Sequence, residues 1–114
     1  MRRVYDDSHF DEVFEKLNEM LEYESRPFYG YASVQHIVNK IKDELGLKLS
    51  NKIETTDKIR YDVIYITPEE EQICCLIHMI PEEDRYNGNS LTVYITDIDE
   101  EKEYGHYHIH TPND

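Results

Sequence analysis

The sequence predicts an α+β fold in which two N-terminal helices pack on one face of a roughly four-stranded antiparallel sheet, in the order ααββββ. Three observations predict it. Apolar residues recur twice at helical spacing before residue 46, and the rest of the chain changes to the alternation and β-branched runs of strands. Helices followed by a run of strands, rather than alternating with them, disfavour a parallel βαβ sheet. The four glycines are scattered, with no GxGxxG or GxxxxGK[ST] run, so a phosphate-cradling loop has nothing to build from.

The first helix rests on Phe10, Val13, Phe14, Leu17, Met20 and Leu21, whose spacing lays one apolar stripe along a helix. Ser8 with Asp11 three residues on reads as its N-cap. Arg26 before Pro27 is its stop, because the ring of a proline pushes the preceding residue out of the helical region. The second stripe is Val34, Ile37, Val38, Ile41 and Leu45, with Ser33 as N-cap and Gly46 where the chain turns left-handed, so the helix is predicted over about 33–45.

Residues 47–53 offer a short additional strand, and 59–67 alternate clearly until Pro68 and the glutamates 69–71 end the run. Residues 72–80 are almost continuously apolar, as befits a central strand covered on both faces, and Pro81 is predicted to stop it. Asn87, Gly88 and Asn89 form a turn signature before a strand over 91–98; residues 99–103 make the next turn and 106–110 a short edge strand.

At 114 residues the chain reads as one domain over 1–114, long enough for an ordinary core without disulfides. No apolar run approaches the ~20 residues of a membrane helix, and the opening MRRVYDDSHF lacks the apolar stretch of a signal peptide, so a cytoplasmic location is expected. The two cysteines, Cys74 and Cys75, are adjacent and read as reduced, buried thiols. On a regular strand they would point to opposite faces, which excludes a shared metal.

Charge is the strongest compositional signal. Twenty-five acids against twelve Lys and Arg leave a net charge of −13, which opposes direct binding to nucleic acid or anionic membrane. Residues 1–30 carry −4, 31–60 carry +2 and 61–114 carry −11, so the excess sits in the β half and chiefly in its turns. In a meander, the turn before residue 72 and the turn formed by Asp97, Asp99, Glu100, Glu101 and Glu103 share one end, while Glu82, Glu83 and Asp84 mark the other. Helix 1 adds Glu12, Glu15, Glu19 and Glu22, a line of carboxylates on its solvent side spanning ~15 Å. Ten tyrosines and no tryptophan supply amphipathic contact area, with Tyr86 inside an acidic loop and Phe28, Tyr29 and Tyr31 between the helices.

His106, His108 and His110 alternate, so on a strand they project from one face. Two of them could share a metal with a third ligand from His78 or a carboxylate, an open three-ligand centre. Otherwise they form the polar face of an edge strand. No nucleophile and base stand at a usable spacing, so no catalytic residue or cofactor is expected.

The reading that absorbs most of these signals is an acidic binding protein that inhibits a nucleic-acid-handling protein by occupying its basic groove, with the named carboxylates and Tyr86 as contact residues. This profile resembles that of phage anti-CRISPR and anti-restriction DNA mimics and of nuclease immunity proteins, and it implies a basic partner such as a nuclease or CRISPR effector. The alternatives are a small metal-dependent hydrolase built on His106, His108 and His110, and a structural or assembly subunit that uses its edge strand or helix 1.

Overall fold

Two helices and a five-stranded antiparallel sheet make up the computed structural model, which describes residues 7–26, 31–66, 71–84 and 88–111. Helix α1 (Asp7–Glu24) begins one residue before the predicted cap, so Ser8 lies inside it, and it ends before Pro27. Helix α2 (Val34–Asp43) is N-capped by Ser33, whose hydroxyl accepts the His36 amide at 3.4 Å. Gly46 takes φ +68°, and the Leu47 amide returns to the Ile41 carbonyl across it. Among the described residues no helix is long and apolar enough to cross a membrane.

The strands β1 (Lys48–Glu54), β2 (Ile59–Ile66), β3 (Glu71–Asp84), β4 (Gly88–Thr96) and β5 (Glu103–Thr111) pair in sequence order as a meander. The fifth strand, beyond the expected four, is the short additional one that residues 47–53 offered. It is β1, an edge strand whose weak alternation reflects a register break between Ser50 and Ile53, with Asn51 at φ +53°. One correction concerns Pro81, which does not end β3. The strand β2 pairs with β3 only as far as Met79, and beyond it β3 borders β4 alone, so a residue without an amide hydrogen is tolerated at this local edge.

Two further irregularities aim side chains. Between Val63 and Ile64, β3 carries the extra residue Cys74, and between Ile95 and Thr96, β5 carries the extra residue Tyr104. The first overturns the expectation that Cys74 and Cys75 face apart, since both are fully buried in one apolar cluster. The second lets Tyr104 approach Phe10, ring centroids 4.4 Å apart, while its neighbour Gly105 sits under Phe14.

Residues opposed across a sheet share a face, which sorts the strands into two sets of rows. One set, including Val63, Ile77, Met79, Leu91, Val93, Ile95 and Ile109, forms a single buried cluster with the α1 residues Phe10, Val13, Leu17, Met20 and Leu21 and the α2 residues Ile37, Val38 and Ile41. The other set contains Asp62, Leu76 and Thr96 in one row and Arg60, His78, Tyr94 and His106 in the next. Ile64, Leu76, Asp62, Thr96 and His78 are buried there without belonging to the main cluster. The β4–β5 turn reaches this face, for the Glu100 carboxylate meets Arg60 at 2.9 Å.

Between the helices a buried carboxylate does the joining. Glu24, at the end of α1, is 2% exposed and accepts from Lys40 Nζ at 3.0 Å, the Tyr31 amide at 3.3 Å and, across 3.0 Å, pairs with His36 Nε2. Hydrogen bonding to Glu24 is the main reason the Lys40 ammonium is held above its usual range. A buried carboxylate is tolerable only with this many donors.

Candidate partner-binding surfaces

The predicted contact carboxylates divide by what they already touch. Glu12 accepts the Tyr65 hydroxyl at 3.2 Å, which is the chief cause of that phenol's raised pKa. Asp97 accepts the amides of Glu101 and Lys102, closing its own turn. Glu100 pairs with Arg60 and Glu103 with His106, so both serve the chain's own structure. Glu100 also holds φ +58°, a left-handed conformation unfavourable for a residue with a side chain, and its contact with Arg60 helps to keep it there. Residues 99–101 are an exposed turn as expected, but Glu103, expected in that turn, opens β5.

Glu15, Glu19, Glu22, Glu82, Glu83, Asp99 and Glu101 are exposed and form no ion pair with any cation among the described residues. Glu82 and Glu83 close β3 at one end of the sheet, while Asp99 and Glu101 stand on the β4–β5 turn at the other. The backbone of Asp84 pairs with Gly88. Tyr86, together with Phe28, Tyr29 and the glutamates 69 and 70, lies outside the described residues. Tyr31 is 56% exposed, with its ring 5.3 Å from that of His36.

Cations are treated differently. Lys40 joins Glu24 and Glu44, Lys48 joins Glu71, Lys52 joins Glu54 and Arg60 joins Glu100. Lys58 meets Tyr94 instead, and Lys16, Lys42 and Lys102 form no ion pair, yet the unpaired carboxylates still outnumber the unpaired cations among the described residues.

The three histidines do project from one face of β5, opposite Tyr94, Thr92 and Ser90, and all are exposed. They do not form a ligand set. The one trio of His, Cys, Asp or Glu side chains whose ligand atoms come within 4.8 Å of one another, among the described residues, is Asp97, Asp99 and Glu101. His106 Nδ1 instead bonds Glu103, and His110 Nδ1 lies 3.3 Å from Ser90 Oγ.

His78, proposed as a third ligand, is held in a stack. Its ring lies parallel to Tyr94 at 4.4 Å and 4°, and Tyr94 in turn faces His106 at 5.8 Å and 13°. Its Nε2 is 2.8 Å from Thr96 Oγ1, and that hydroxyl donates to the Asp97 carbonyl at 3.0 Å. The single hydroxyl proton being so committed, Nε2 must carry the imidazole hydrogen and Nδ1 the lone pair. Burial, with the nearby Lys58 ammonium, lowers the His78 pKa to about 4, against the opposing pull of Glu100. This stack and the Glu24 junction were not foreseen as units, although a lone histidine in an otherwise apolar run already implied a buried partner.

The thiols have no chemistry to offer in this setting. Burial pushes Cys74 up to about 11 and Cys75 higher still, so neither forms the thiolate that reacts or binds metal. No family model, curated protein or solved structure matches this chain.

Proposed function

We propose that this protein is an acidic binding protein that inhibits a nucleic-acid-handling protein by occupying its basic groove. The observation that carries the reading is the balance of ion pairing among the described residues: Lys40, Lys48, Lys52 and Arg60 are taken up by internal carboxylates, and the unpaired carboxylates on α1 and at both ends of the sheet outnumber unpaired cations such as Lys16, Lys42 and Lys102. A field of uncompensated carboxylates attracts Lys and Arg clusters, raises the association rate and disfavours anionic competitors. The reading takes the helices as a layer over the main core, with the acidic line of α1 outward. The long dimension of 48 Å exceeds one turn of a duplex, ~34 Å, so one molecule is long enough to cover a groove that holds a full turn. Anti-CRISPR proteins, anti-restriction DNA mimics and nuclease immunity proteins act in this general way.

The test is capture of the tagged protein's partner from host extract at low salt, with elution on a salt gradient. A basic nucleic-acid-binding protein released at moderate salt, whose activity the purified protein blocks, is the expected result. Glu82→Lys with Glu83→Lys, or Asp99→Lys with Glu101→Lys, should weaken that complex about tenfold or more while preserving the fold, as these side chains are free and exposed. Glu100 is left unchanged because it anchors Arg60. Should neither double substitution alter binding, groove occupation by these carboxylates is wrong.

A further inference from the structure

The sheet has two edges, and they are built differently. The β1 edge is broken in register between Ser50 and Ile53, left-handed at Asn51, and carries Lys48 and Lys52. Such bulges and lysines are the devices that keep an edge from accepting another strand. The β5 edge has none of them beyond Tyr104. From residue 105 to residue 111 it stays in unbroken register with β4, has no proline, lysine or arginine, and has no strand on its outer side among the described residues. It presents about 20 Å of regular backbone.

Charge decides what fits there. Asp99 and Glu101 precede the strand, and Glu82 and Glu83 stand in the cross-strand rows that end at His110 and Thr111. Glu22 of α1 reaches Tyr107 electrostatically. None of these carboxylates is ion-paired among the described residues. A hollow of about 330 Å³ at the end of the strand is bounded by Tyr31, Ser33, Glu82, Glu83, Ser90 and Thr111. A second copy of the chain, itself at −13, would bring like charge to this edge.

We infer that the free edge of β5, over residues 105–111, accepts an extended basic segment of a protein partner as a sixth strand. Main-chain hydrogen bonds supply the pairing, and alternate Lys or Arg side chains meet the flanking carboxylates. One set of added side chains lies beside His106, His108 and His110; the other lies beside Tyr107 and Thr111. The inference rests on the reading above in taking the partner to be basic, and it adds the mode of contact.

The experiment is amide hydrogen exchange on the full chain at low salt, with two capped peptides of equal length and charge as probes. One alternates Lys with Val; the other alternates Lys with Pro, which cannot supply a regular ladder of amides. The Lys-Val peptide should slow exchange of alternate amides within residues 105–111 by about tenfold or more, and the Lys-Pro peptide should not. His108→Lys with His110→Lys, both exposed positions, should abolish the protection by placing cations on the edge. Equal effects from the two peptides, protection confined to α1, or an unaltered response of the lysine variant would overturn the inference. If salt-sensitive capture of a basic partner persists in that variant with no protection of β5, strand addition is wrong and groove occupation stands. Absence of any basic partner at low salt removes the functional reading itself.

Discussion

Acid should unfold this protein partly through one buried imidazole. His78 has no exposed surface, lies against Tyr94, and is neutral with its hydrogen on Nε2. Its folded pKa of about 4 lies below the ordinary 6.5. Above pH 6.5 neither folded nor unfolded His78 is protonated, and the full stability is present. Between 6.5 and 4 the unfolded chain takes up a proton that the native stack refuses, so stability falls with pH over that window and this contribution is exhausted below 4. The lowering from 6.5 to about 4 corresponds to an upper limit of about 3.5 kcal/mol, at about 1.4 kcal/mol for each tenfold change in proton affinity. The Glu100 carboxylate lies 3.9 Å from Nε2, so partial relief by Glu100 will bring the measured loss below that limit. The assay is urea unfolding at intervals between pH 7.5 and 4, comparing the wild type with His78→Gln, which keeps a donor for Thr96 but does not titrate. Whatever is common to the two proteins drops out of the difference. The wild type should show the steeper decline by up to about one proton between pH 6.5 and 4. Parallel stability curves for the two proteins would refute a neutral, protonation-resistant His78.

Glu24→Gln should lower stability by about 1–2 kcal/mol in denaturant unfolding, because the buried junction loses its charged acceptor and Lys40 keeps only the exposed Glu44 carboxylate. Gly105→Ala should cost about 1–2 kcal/mol in the same assay, since an added Cβ would lie 3.0 Å from the Tyr107 ring and 3.3 Å from Phe14, crowding the seam between α1 and β5. Neither Cys74 nor Cys75 should react with a disulfide reagent at pH 8 in the native protein, and both should react once it is unfolded; fast native reaction would contradict their burial.

The parts of the fold legible in the sequence are those where local chemistry and tertiary context agree. Ser33 and Gly46 bracket α2 as capping chemistry predicts, and the stripe from Phe10 to Leu21 reaches the core along its length. What escaped is the effect of context on individual strands. Pro81 reads locally as a stop, yet its place depends on how far β2 extends, a long-range fact. The acidic residues were legible as a composition but not as a site, because one carboxylate's partner is set by topology. Glu100 and Asp99 are neighbours in sequence, but only Glu100 turns toward Arg60 on a strand forty residues away.

The bulges at Cys74 and Tyr104 carry this argument furthest. A period of two assigns adjacent residues to opposite faces, so any such reading must misplace one residue at each bulge and every residue beyond it unless the break is known. At Cys74 the break puts two neighbouring thiols in one core. At Tyr104 it places the aromatic ring on Phe10 and leaves Gly105 beneath Phe14, where a larger residue would crowd both rings. The same break also sets which residues of β5 face outward. Counted forward from Glu103 without it, the histidines would share a face with the main core; counted with it, they lie on the far face beside Tyr94, and residues 105–111 run on as a regular edge. Which face these histidines occupy, and so what they can meet, therefore turns on one extra residue whose presence only the paired register reveals.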